Sequence, residues 1–189
     1  MKVPKRKHKK PLLHQRTFTT ATGAAAKGVL MRQPIQQLIE LYQNSLYAAA
    51  FNICQNQMDA EDVVQETFVQ YYTSRKEFEN EQHIRAWLLR VVINKAKNIN
   101  RTFWKKNKCS LEDYMETLTF PNSQSRDLFE EVMKLPDKFR IVIHLFYYED
   151  YSVREIADIL KLSESNVKVR LSRGRALLKD SLKEEWEND

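Results

Sequence analysis

Residues 152–182 read SVREIADILKLSESNVKVRLSRGRALLKDSL, and the order of signals in this stretch decides the fold. Ser152 followed three residues later by Glu155 is the capping-box pattern that begins a helix. Residues 161–163 then form a short turn, and Ser163 is placed to cap a second helix that is rich in Lys and Arg. A short helix, a three-residue turn and a basic helix together predict a helix-turn-helix, which is typical of proteins that bind DNA.

The second helix of this motif has two distinct faces. Val167, Leu171 and Leu178 form an apolar stripe, which we assign to the core. The other face is small, polar and basic, which suits a helix that reads base edges in the major groove and contacts phosphates at its margins. The alternative is a generic surface helix that does not bind DNA. The candidate residues for DNA contact are Ser165, Lys168, Val169, Arg170, Ser172, Arg173 and Arg175.

Upstream of the motif, apolar residues recur at helical spacing in several further segments. The chain has three glycines and none between residues 29 and 173, which disfavours tight β-hairpins. We therefore predict an all-α protein of two small helical domains joined by a linker, the C-terminal one a helix-turn-helix. Asp59 is the predicted N-cap of the second helix, and Tyr72 is assigned to its buried face. The segments predicted as helices are 35–54, 60–74, 83–100, 126–134 and 137–148.

Changes in composition divide the chain into four parts. Residues 1–34 contain three prolines and no sustained period, and we expect a disordered basic arm there. Residues 35–101 form the first helical domain, residues 102–125 a linker that breaks the helical period, and residues 126–185 the helix-turn-helix domain. The arm is either a flexible extension that adds non-specific DNA affinity or an over-extended start, with Met31 as the initiator.

The net charge of +6 is distributed in blocks. Nine Lys or Arg and no acidic residue lie in residues 1–34, and eight Lys or Arg and no acidic residue lie in residues 82–108. Residues 166–183 hold six basic residues and one acidic residue. Acidic segments, 35–81 and 109–165, separate these blocks. Two basic blocks in the folded part predict two separate contacts with a polyanion, with ordinary solvated helix faces as the alternative.

The residues disfavour an enzyme. There is no P-loop and no GxSxG motif, and neither His83 nor His144 has an obvious carboxylate or cysteine partner. We take His144 as a packed core residue. Cys54 and Cys109 match no zinc spacing and are expected to be reduced, structural thiols. No metal, cofactor or catalytic residue is therefore predicted. Because the cysteines are expected to be reduced, we expect a cytoplasmic protein. No apolar stretch is long enough to span a membrane.

Three strings resemble parts of the bacterial sigma factors of RNA polymerase. DAEDVVQETFVQYY (59–72) resembles region two, which docks on the polymerase clamp. FENEQHIRAWLLRVVINKAKNINR (78–101) resembles the segment that melts and reads the upstream edge of the transcription bubble. LPDKFRIVIHLFYYEDYSVREIADILKLSESNVKVRLSRGRALL (135–178) resembles region four, which reads the minus-thirty-five element. Because no segment resembles region three or an acidic N-terminal region, the pattern is similar to the extracytoplasmic-function (ECF) group.

The resemblance implies the partners and the roles of particular residues. The partners are core RNA polymerase, promoter DNA and, as a further candidate, an anti-sigma factor, with no membrane insertion. The loop of residues 79–82 corresponds to the loop that captures a flipped promoter base. The implied polymerase-binding residues are Asp62, Gln65 and Glu66, and the implied minus-ten DNA residues are Asn80, Gln82, Arg85, Arg90, Asn94, Lys97 and Arg101.

The chain departs from the family pattern on the last helix. Asn166 stands where Thr is common, and Val169 stands where Ser is common, so promoter specificity is not transferable from relatives. Two other classes of protein remain as alternatives. One is a conventional helix-turn-helix transcriptional regulator with a ligand or dimer domain at its N-terminus. The other is a polymerase-bound adaptor without promoter specificity.

Overall fold

The computed structural model describes residues 31–102 and 123–187, and within these ranges the regular structure is helical. Met31 and Phe78 form an isolated antiparallel bridge, and no β-strand is present in the described ranges. The all-α prediction is confirmed. The predicted arm up to residue 30, most of the linker and Cys109 lie outside the described residues. The helices are α1 (Ile35–Cys54), α2 (Gln57–Thr73), α3 (Glu81–Thr102), α4 (Ser123–Lys134), α5 (Asp137–Tyr147), α6 (Val153–Leu160) and α7 (Glu164–Glu187).

Helices α1, α2 and α3 form the first unit, in which each packs against the other two. Each contributes an apolar stripe to a shared core, because its apolar residues recur every three or four positions. Leu38 and Leu46 on α1, Val63 on α2 and Ile84 and Leu88 on α3 are all almost completely buried. Most of the polar and charged residues of α2 and α3 therefore lie on the outward faces of these helices.

The boundary between α1 and α2 is set by local polar contacts. Gln55 adopts a left-handed backbone conformation (φ 49°) after α1, and α2 begins two residues later. The Asn56 side chain accepts a hydrogen bond from the Asp59 backbone N–H at 3.0 Å. The prediction of Asp59 as N-cap is therefore wrong: Asn56 is the cap, and its position starts the helix at Gln57 rather than at residue 60.

The described part of the chain begins at Met31, four residues before the predicted start of the first domain. The backbones of Met31 and Phe78 exchange hydrogen bonds of 2.7 and 3.1 Å. The Arg32 guanidinium donates to the carbonyls of Tyr71 and Ser74 at the C-terminal end of α2. A cation at this position satisfies carbonyls that have no partner within the helix and interacts favourably with the helix dipole. Residues 31–34 therefore hold the end of α2 and the turn that leads to α3.

Helices α6 and α7 form the predicted helix-turn-helix, and α4 and α5 pack against α7. The capping box is present, since the Glu155 carboxylate accepts from the Ser152 N–H at 2.8 Å and the Ser152 Oγ accepts from the Glu155 N–H at 3.3 Å. Val167 and Leu171 are buried as predicted, while Leu178 is partly buried. The helix-turn-helix prediction is confirmed.

The two units pack against each other in this structure. Helix α1 lies against α5, and α3 lies against α6, so that one buried apolar cluster runs through both units. Arg140 on α5 is 3% exposed, and its Nε donates to the Asn52 carbonyl on α1 at 2.5 Å. The Gln55 side chain donates to the Met133 carbonyl at 2.8 Å. The first unit thus forms part of the packing surface of the second.

Gly174 allows α7 to approach α5 closely. It is buried, and a Cβ atom there would lie 2.8 Å from the Ile143 Cδ1 and 3.4 Å from the Phe139 Cβ. A larger side chain requires Ile143, itself 3% exposed, to move within a packed core. The close packing of the last helix therefore depends on the absence of a side chain at this position.

We expect Gly174→Val to lower the free energy of unfolding by about 1–3 kcal/mol, because the added methyl groups overpack the interface between α5 and α7. Urea denaturation followed by circular dichroism measures this. The matched control is Ala176→Val at an exposed position of the same helix, for which the helix propensity of Val costs about 0.5 kcal/mol. Equal decreases in the two variants would contradict the packing explanation.

Candidate polymerase and nucleic-acid interfaces

The outward face of α2 combines acidic, polar and apolar side chains. Asp62, Gln65 and Glu66 are exposed, as the sequence predicts. Met58 and Val69 lie on the same face, with 74% and 61% of their surface exposed. Met58, Asp62, Gln65 and Val69 follow each other at i, i+4, i+7 and i+11, so they form one row along the helix. A row that exposes large apolar side chains beside a carboxylate is typical of a protein-binding surface.

One expectation about this helix needs correction. The sequence predicts a buried Tyr72, but this side chain is 70% exposed because it lies on the margin of the outward face. Glu66 keeps 59% of its side chain exposed, and its carboxylate lies 2.7 Å from the Lys95 Nζ on α3. Sequence reasoning also missed Met58 and Val69 as interface candidates. Their helical spacing from Asp62 is the signal that identifies them.

The loop before α3 and the polar positions on α3 are accessible. Asn80 and Asn94 are exposed, and Gln82 is exposed between them. The Asn80 side chain accepts a hydrogen bond from the His83 backbone N–H at 2.9 Å, so its oxygen caps the first turn of α3. Asn80 therefore has a structural role in addition to the DNA contact that the resemblance implies.

The two arginines in the first half of α3 contact the second unit. The Arg85 Nη2 donates to the Glu149 carboxylate at 2.6 Å and to the Glu149 carbonyl at 3.2 Å. Its guanidinium also lies over the Tyr151 ring, 4.8 Å from the centroid. The Arg90 Nη2 donates to the Asp158 carbonyl on α6 at 2.6 Å. In this arrangement both predicted DNA-contacting arginines are bonded to protein groups.

The C-terminal half of α3 lies near the last helix. Burial lowers the pKa of Lys97, and the positive charge of Arg170 on α7 lowers it further. The minus-ten candidate Lys97 and the minus-thirty-five candidate Arg170 are therefore close enough to repel each other. The side chain of Arg101, the remaining candidate on α3, lies outside the described residues.

The DNA-reading face predicted on α7 is open to solvent. Lys168, Ser172 and Arg173 are exposed, and Val169 is 48% exposed. Ser165 is also exposed. Small, cationic and apolar groups on one exposed helix face match the hydrogen-bond acceptors and methyl groups of the major groove.

The arginines at the margins of this face are held by contacts within the helix. The Arg170 Nε donates to the Asn166 side chain at 2.8 Å, and the Arg175 Nε donates to the Leu171 carbonyl at 3.1 Å. Because each bond uses one nitrogen of the guanidinium, the others remain able to meet phosphates at the edge of the groove. Asn166, which stands where the family commonly has Thr, thus orients Arg170.

A buried carboxylate lies where the two units meet. Glu149 is 7% exposed, and the Ser45 Oγ on α1 donates to it at 2.7 Å. Burial favours the neutral form of Glu149, but interactions with His144, Ser45 and Arg85 outweigh it and lower the pKa to about 2. His144 is buried as predicted, and its Nε2 lies 3.5 Å from the carboxylate, so the expectation that it has no carboxylate partner is wrong. Glu149 is therefore charged at neutral pH.

The contact between the units leaves a cleft of about 590 Å³. A wall of mixed charge from the first unit faces an acidic wall from the second; the charged lining residues are Lys76, Glu77, Glu79, Arg85 and Arg90 on the one side and Asp150, Glu155 and Asp158 on the other. Among residues 31–102 and 123–187, no cluster of three His, Cys, Asp or Glu side chains is arranged to hold a metal ion. No helix in those ranges combines the length and apolarity needed to cross a bilayer.

Comparison with protein families gives two matches in the order of the two units. The model of sigma-70 region 2 matches residues 38–108, and the model of sigma-70 region 4 matches residues 125–178. The first match covers most of α1 and all of α2 and α3. It therefore includes the outward face of α2 that carries Asp62 and Glu66 and the acid-free block of residues 82–108. The second covers most of α4, all of α5 and α6, and the part of α7 that carries the exposed reading face.

Individual relatives support the same assignment. The ECF RNA polymerase sigma factor SigW of Bacillus subtilis is 28% identical over 170 residues, which cover 78% of this chain and 88% of SigW. The RNA polymerase sigma factor SigV of the same organism is 29% identical over 150 residues, covering 76% and 88% of the two chains.

Two solved structures share the fold. The sigma factor RpoE, in its complex with the anti-sigma factor NepR from Bartonella quintana, superposes with a TM-score of 0.62 at 22% identity, over 78% of this chain and 96% of RpoE. CnrH, in complex with the cytosolic domain of CnrY, superposes with a TM-score of 0.58 at 28% identity, over 79% and 87%. The two regional matches and the ECF relatives show that this chain belongs to the sigma-70 family of RNA polymerase sigma factors, in the extracytoplasmic-function group.

Proposed function

We propose that this sigma factor divides its work among three surfaces: α2 binds core RNA polymerase, α3 with its preceding loop binds the minus-ten element, and α7 reads the minus-thirty-five element. As a member of its family, the chain directs promoter-specific initiation by RNA polymerase. The observation that carries the division is the presence of two basic helices, α3 and α7, in different units. The phosphodiester bonds are made by the polymerase.

The assignment of α2 to polymerase rests on its charge and its exposed apolar side chains. A face that carries Asp62 and Glu66 repels DNA phosphates, so it is suited to a protein partner. Met58 and Val69 supply apolar area that becomes favourable only when a partner covers it. Because these residues are on a packed helix, the surface is already formed before binding.

The assignment of α3 to the minus-ten element rests on the absence of acidic side chains from residues 82–108. Residues 82–108 contain no carboxylate, so phosphates meet no repulsion along this stretch. Exposed amides at Asn80 and Gln82 are suited to the edge of an extruded base, since an amide both donates and accepts hydrogen bonds. Arg85, Arg90 and Lys97 supply the charge that holds the strand.

The assignment of α7 to the minus-thirty-five element rests on its exposed polar face. Lys168, Val169, Ser172 and Arg173 lie at i, i+1, i+4 and i+5, so they share one side of the helix. The planar fork of Arg173 matches the O6 and N7 acceptors of guanine. Val167 and Leu171 anchor the opposite side in the core and so fix the direction of this face.

We further propose that the protein acts in the cytoplasm and that an anti-sigma factor controls it. The two structural relatives, RpoE and CnrH, were solved in complexes with NepR and CnrY. In vitro transcription with core polymerase tests the whole assignment: a promoter-dependent transcript is expected with both proteins present. A footprint by the chain alone, without polymerase, would instead support a conventional helix-turn-helix regulator.

For polymerase docking, we expect Asp62→Ala with Gln65→Ala to weaken binding to core polymerase while leaving the helical content unchanged. Both side chains are exposed, so their removal deletes partner contacts without opening the core. A fluorescence titration of labelled chain with core polymerase measures the affinity. The matched control is Gln70→Ala, an exposed position at the margin of the same face. Equal affinities for the double variant and the control would contradict this surface.

For upstream reading, we expect Arg173→Ala to reduce transcription from cognate promoters and to flatten discrimination at one base pair. Removal of a bidentate base contact costs about 1–3 kcal/mol. Competition between cognate and scrambled minus-thirty-five sequences measures the discrimination, with Lys179→Ala, exposed further along the helix, as the control. If Arg173→Ala weakens both sequences alike, Arg173 contacts only the backbone and Lys168 takes the reading role.

For the minus-ten element, we expect Arg90→Ala to reduce the salt dependence of promoter binding by the holoenzyme. Removing one phosphate contact lowers the magnitude of the slope of log K against log salt by about one. The slope is obtained from promoter titrations at several salt concentrations. An unchanged slope in a folded variant would show that Arg90 does not contact a phosphate in the promoter complex.

A further inference from the structure

We propose that Arg32 is a positioning residue for the minus-ten element: with the bridge between Met31 and Phe78, it holds the loop of residues 79–82 in the orientation that reads an extruded base. The inference rests on the proposed role of this loop at the minus-ten element. It adds a short segment, residues 31–33, which we call the clasp. The clasp acts on base reading through the backbone that it holds and not through a contact with DNA.

Arg32 supplies the cation that α2 lacks at its C-terminal end. Helix α2 itself has no basic residue in its last turn. The Arg32 guanidinium donates to the carbonyls of Tyr71 and Ser74 and, at 3.0 Å, to the carbonyl of Tyr72. Carbonyls at a helix end have no partner within the helix, so charge-assisted bonds to a cation are favourable there. The guanidinium also lies over the Tyr71 ring, 4.8 Å from its centroid, and this cation–π contact fixes it further.

The backbone on either side of Arg32 bonds to both ends of the connection that leads from α2 to the loop. The Met31 N–H donates to the Phe78 carbonyl at 2.7 Å, and the Phe78 N–H donates to the Met31 carbonyl at 3.1 Å. The Gln33 N–H donates to the Tyr71 hydroxyl at 3.1 Å, and this hydroxyl donates to the Gln33 carbonyl at 3.0 Å. The clasp is therefore bonded to the last turn of α2 and to the residue directly before the loop.

Phe78 connects the clasp to α3. This residue is 3% exposed, and its ring stacks on the Tyr71 ring with the centroids 5.9 Å apart. It also meets the Trp87 ring of α3 edge-on, with the centroids 5.6 Å apart. Both arrangements are favourable for aromatic pairs, and a closely packed core leaves the rings little room to move. The start of the loop is therefore fixed relative to α3 by a residue whose backbone the clasp bonds.

The other end of the loop is fixed by bonds within the first unit. The Asn80 carbonyl accepts from the Ile84 N–H at 3.2 Å, and the Tyr42 hydroxyl donates to the Glu81 carboxylate at 2.7 Å. Hydrogen bonds to a base edge weaken as the donor and acceptor lose their alignment. A loop held at both ends therefore presents the Gln82 amide to an extruded base without first being ordered by it.

A direct phosphate contact is the alternative use of an exposed arginine. Arg32 is exposed, but its guanidinium is already bonded to carbonyl oxygens of α2 and of the residue after it. The two roles have different consequences. Loss of a phosphate contact weakens all DNA sequences alike and lowers the salt dependence, whereas loss of a positioning residue lowers the preference for one minus-ten sequence over another.

The test is Arg32→Ala in the full-length chain, assembled with core polymerase. Competition between promoters with a cognate and a scrambled minus-ten element, with the same minus-thirty-five element in both, measures the discrimination. The ratio of the two affinities is expected to fall by about tenfold, the value of one base-reading contact. The salt slope of promoter binding is expected to be unchanged. In the free chain, amide hydrogen exchange at residues 78–82 is expected to become faster, because the loop is no longer held.

Two further variants control for charge and for folding. Arg75→Ala removes the same charge from an exposed position in the connection between α2 and the loop, and it is expected to keep the ratio of the parent chain. Tyr71→Phe keeps the ring and removes its bonds to Gln33, so a smaller decrease in the ratio is expected even if Arg32→Ala fails to fold. A purely structural loss lowers both affinities equally, so an unchanged ratio in both clasp variants would overturn the proposal.

Gln82→Ala distinguishes failure of the clasp from failure of the proposed function. If Gln82→Ala lowers the ratio and the clasp variants do not, the loop reads the minus-ten element and the clasp alone fails. If Arg32→Ala lowers the ratio and Gln82→Ala does not, the clasp stands and another residue of the loop reads the base. If neither variant changes the ratio, the proposed minus-ten role of the loop fails, and the positioning role of Arg32 fails with it.

Discussion

The packing of the two units depends on one buried guanidinium. Arg140 is 3% exposed and donates to three carbonyl oxygens, those of Met133 and Leu135 in its own unit and of Asn52 in the other. Burial lowers its pKa to about 10, an effect that Asp137 partly offsets, so it remains protonated at neutral pH. These bonds fix the corner before α5, and α5 is the helix on which both α1 and α7 pack. The direction of the DNA-reading face is therefore linked to the first unit.

The basic surface of α3 is suited by its charge to bind either DNA or acidic groups of the same chain. In the sequence, the acid-free block that includes most of α3 lies apart from the acidic segment before α7. In the structure, the two face each other across the cleft between the units. Cations that suit a phosphate backbone suit the oxygens of Glu149 and Asp158 for the same physical reason, since both are hydrogen-bond acceptors of negative or partial negative charge. A surface suited to DNA is thus also suited to bind an acidic surface of its own chain.

The sequence predicts the positions of the helices more accurately than their capping residues and the exact limits of their buried faces. The bounds of α1 agree with the prediction at both ends, and the capping box of α6 is present as expected. The errors have local causes. The predicted N-cap of α2, Asp59, is wrong because Asn56, an equally good cap, lies three residues earlier in a polar segment where apolar spacing does not mark the helix start. The assignment of Tyr72 to the core is wrong because this residue lies on the boundary between two faces, where helical spacing alone does not decide burial.

The sequence by itself determined the fold class, the helix-turn-helix and the resemblance to sigma factors, because periodicity, caps and charge blocks are local properties. The exposed face of α7 followed from spacing within one helix. Arg85 and Glu149, which are bonded, lie 64 positions apart in the chain, and Arg90 and Asp158 lie 68 positions apart. Ser45 lies 104 positions from its partner Glu149. The close approach at Gly174 likewise involves two helices. Such pairs leave no periodic signal, so only the tertiary structure decided which cations are exposed and which are held by the chain itself.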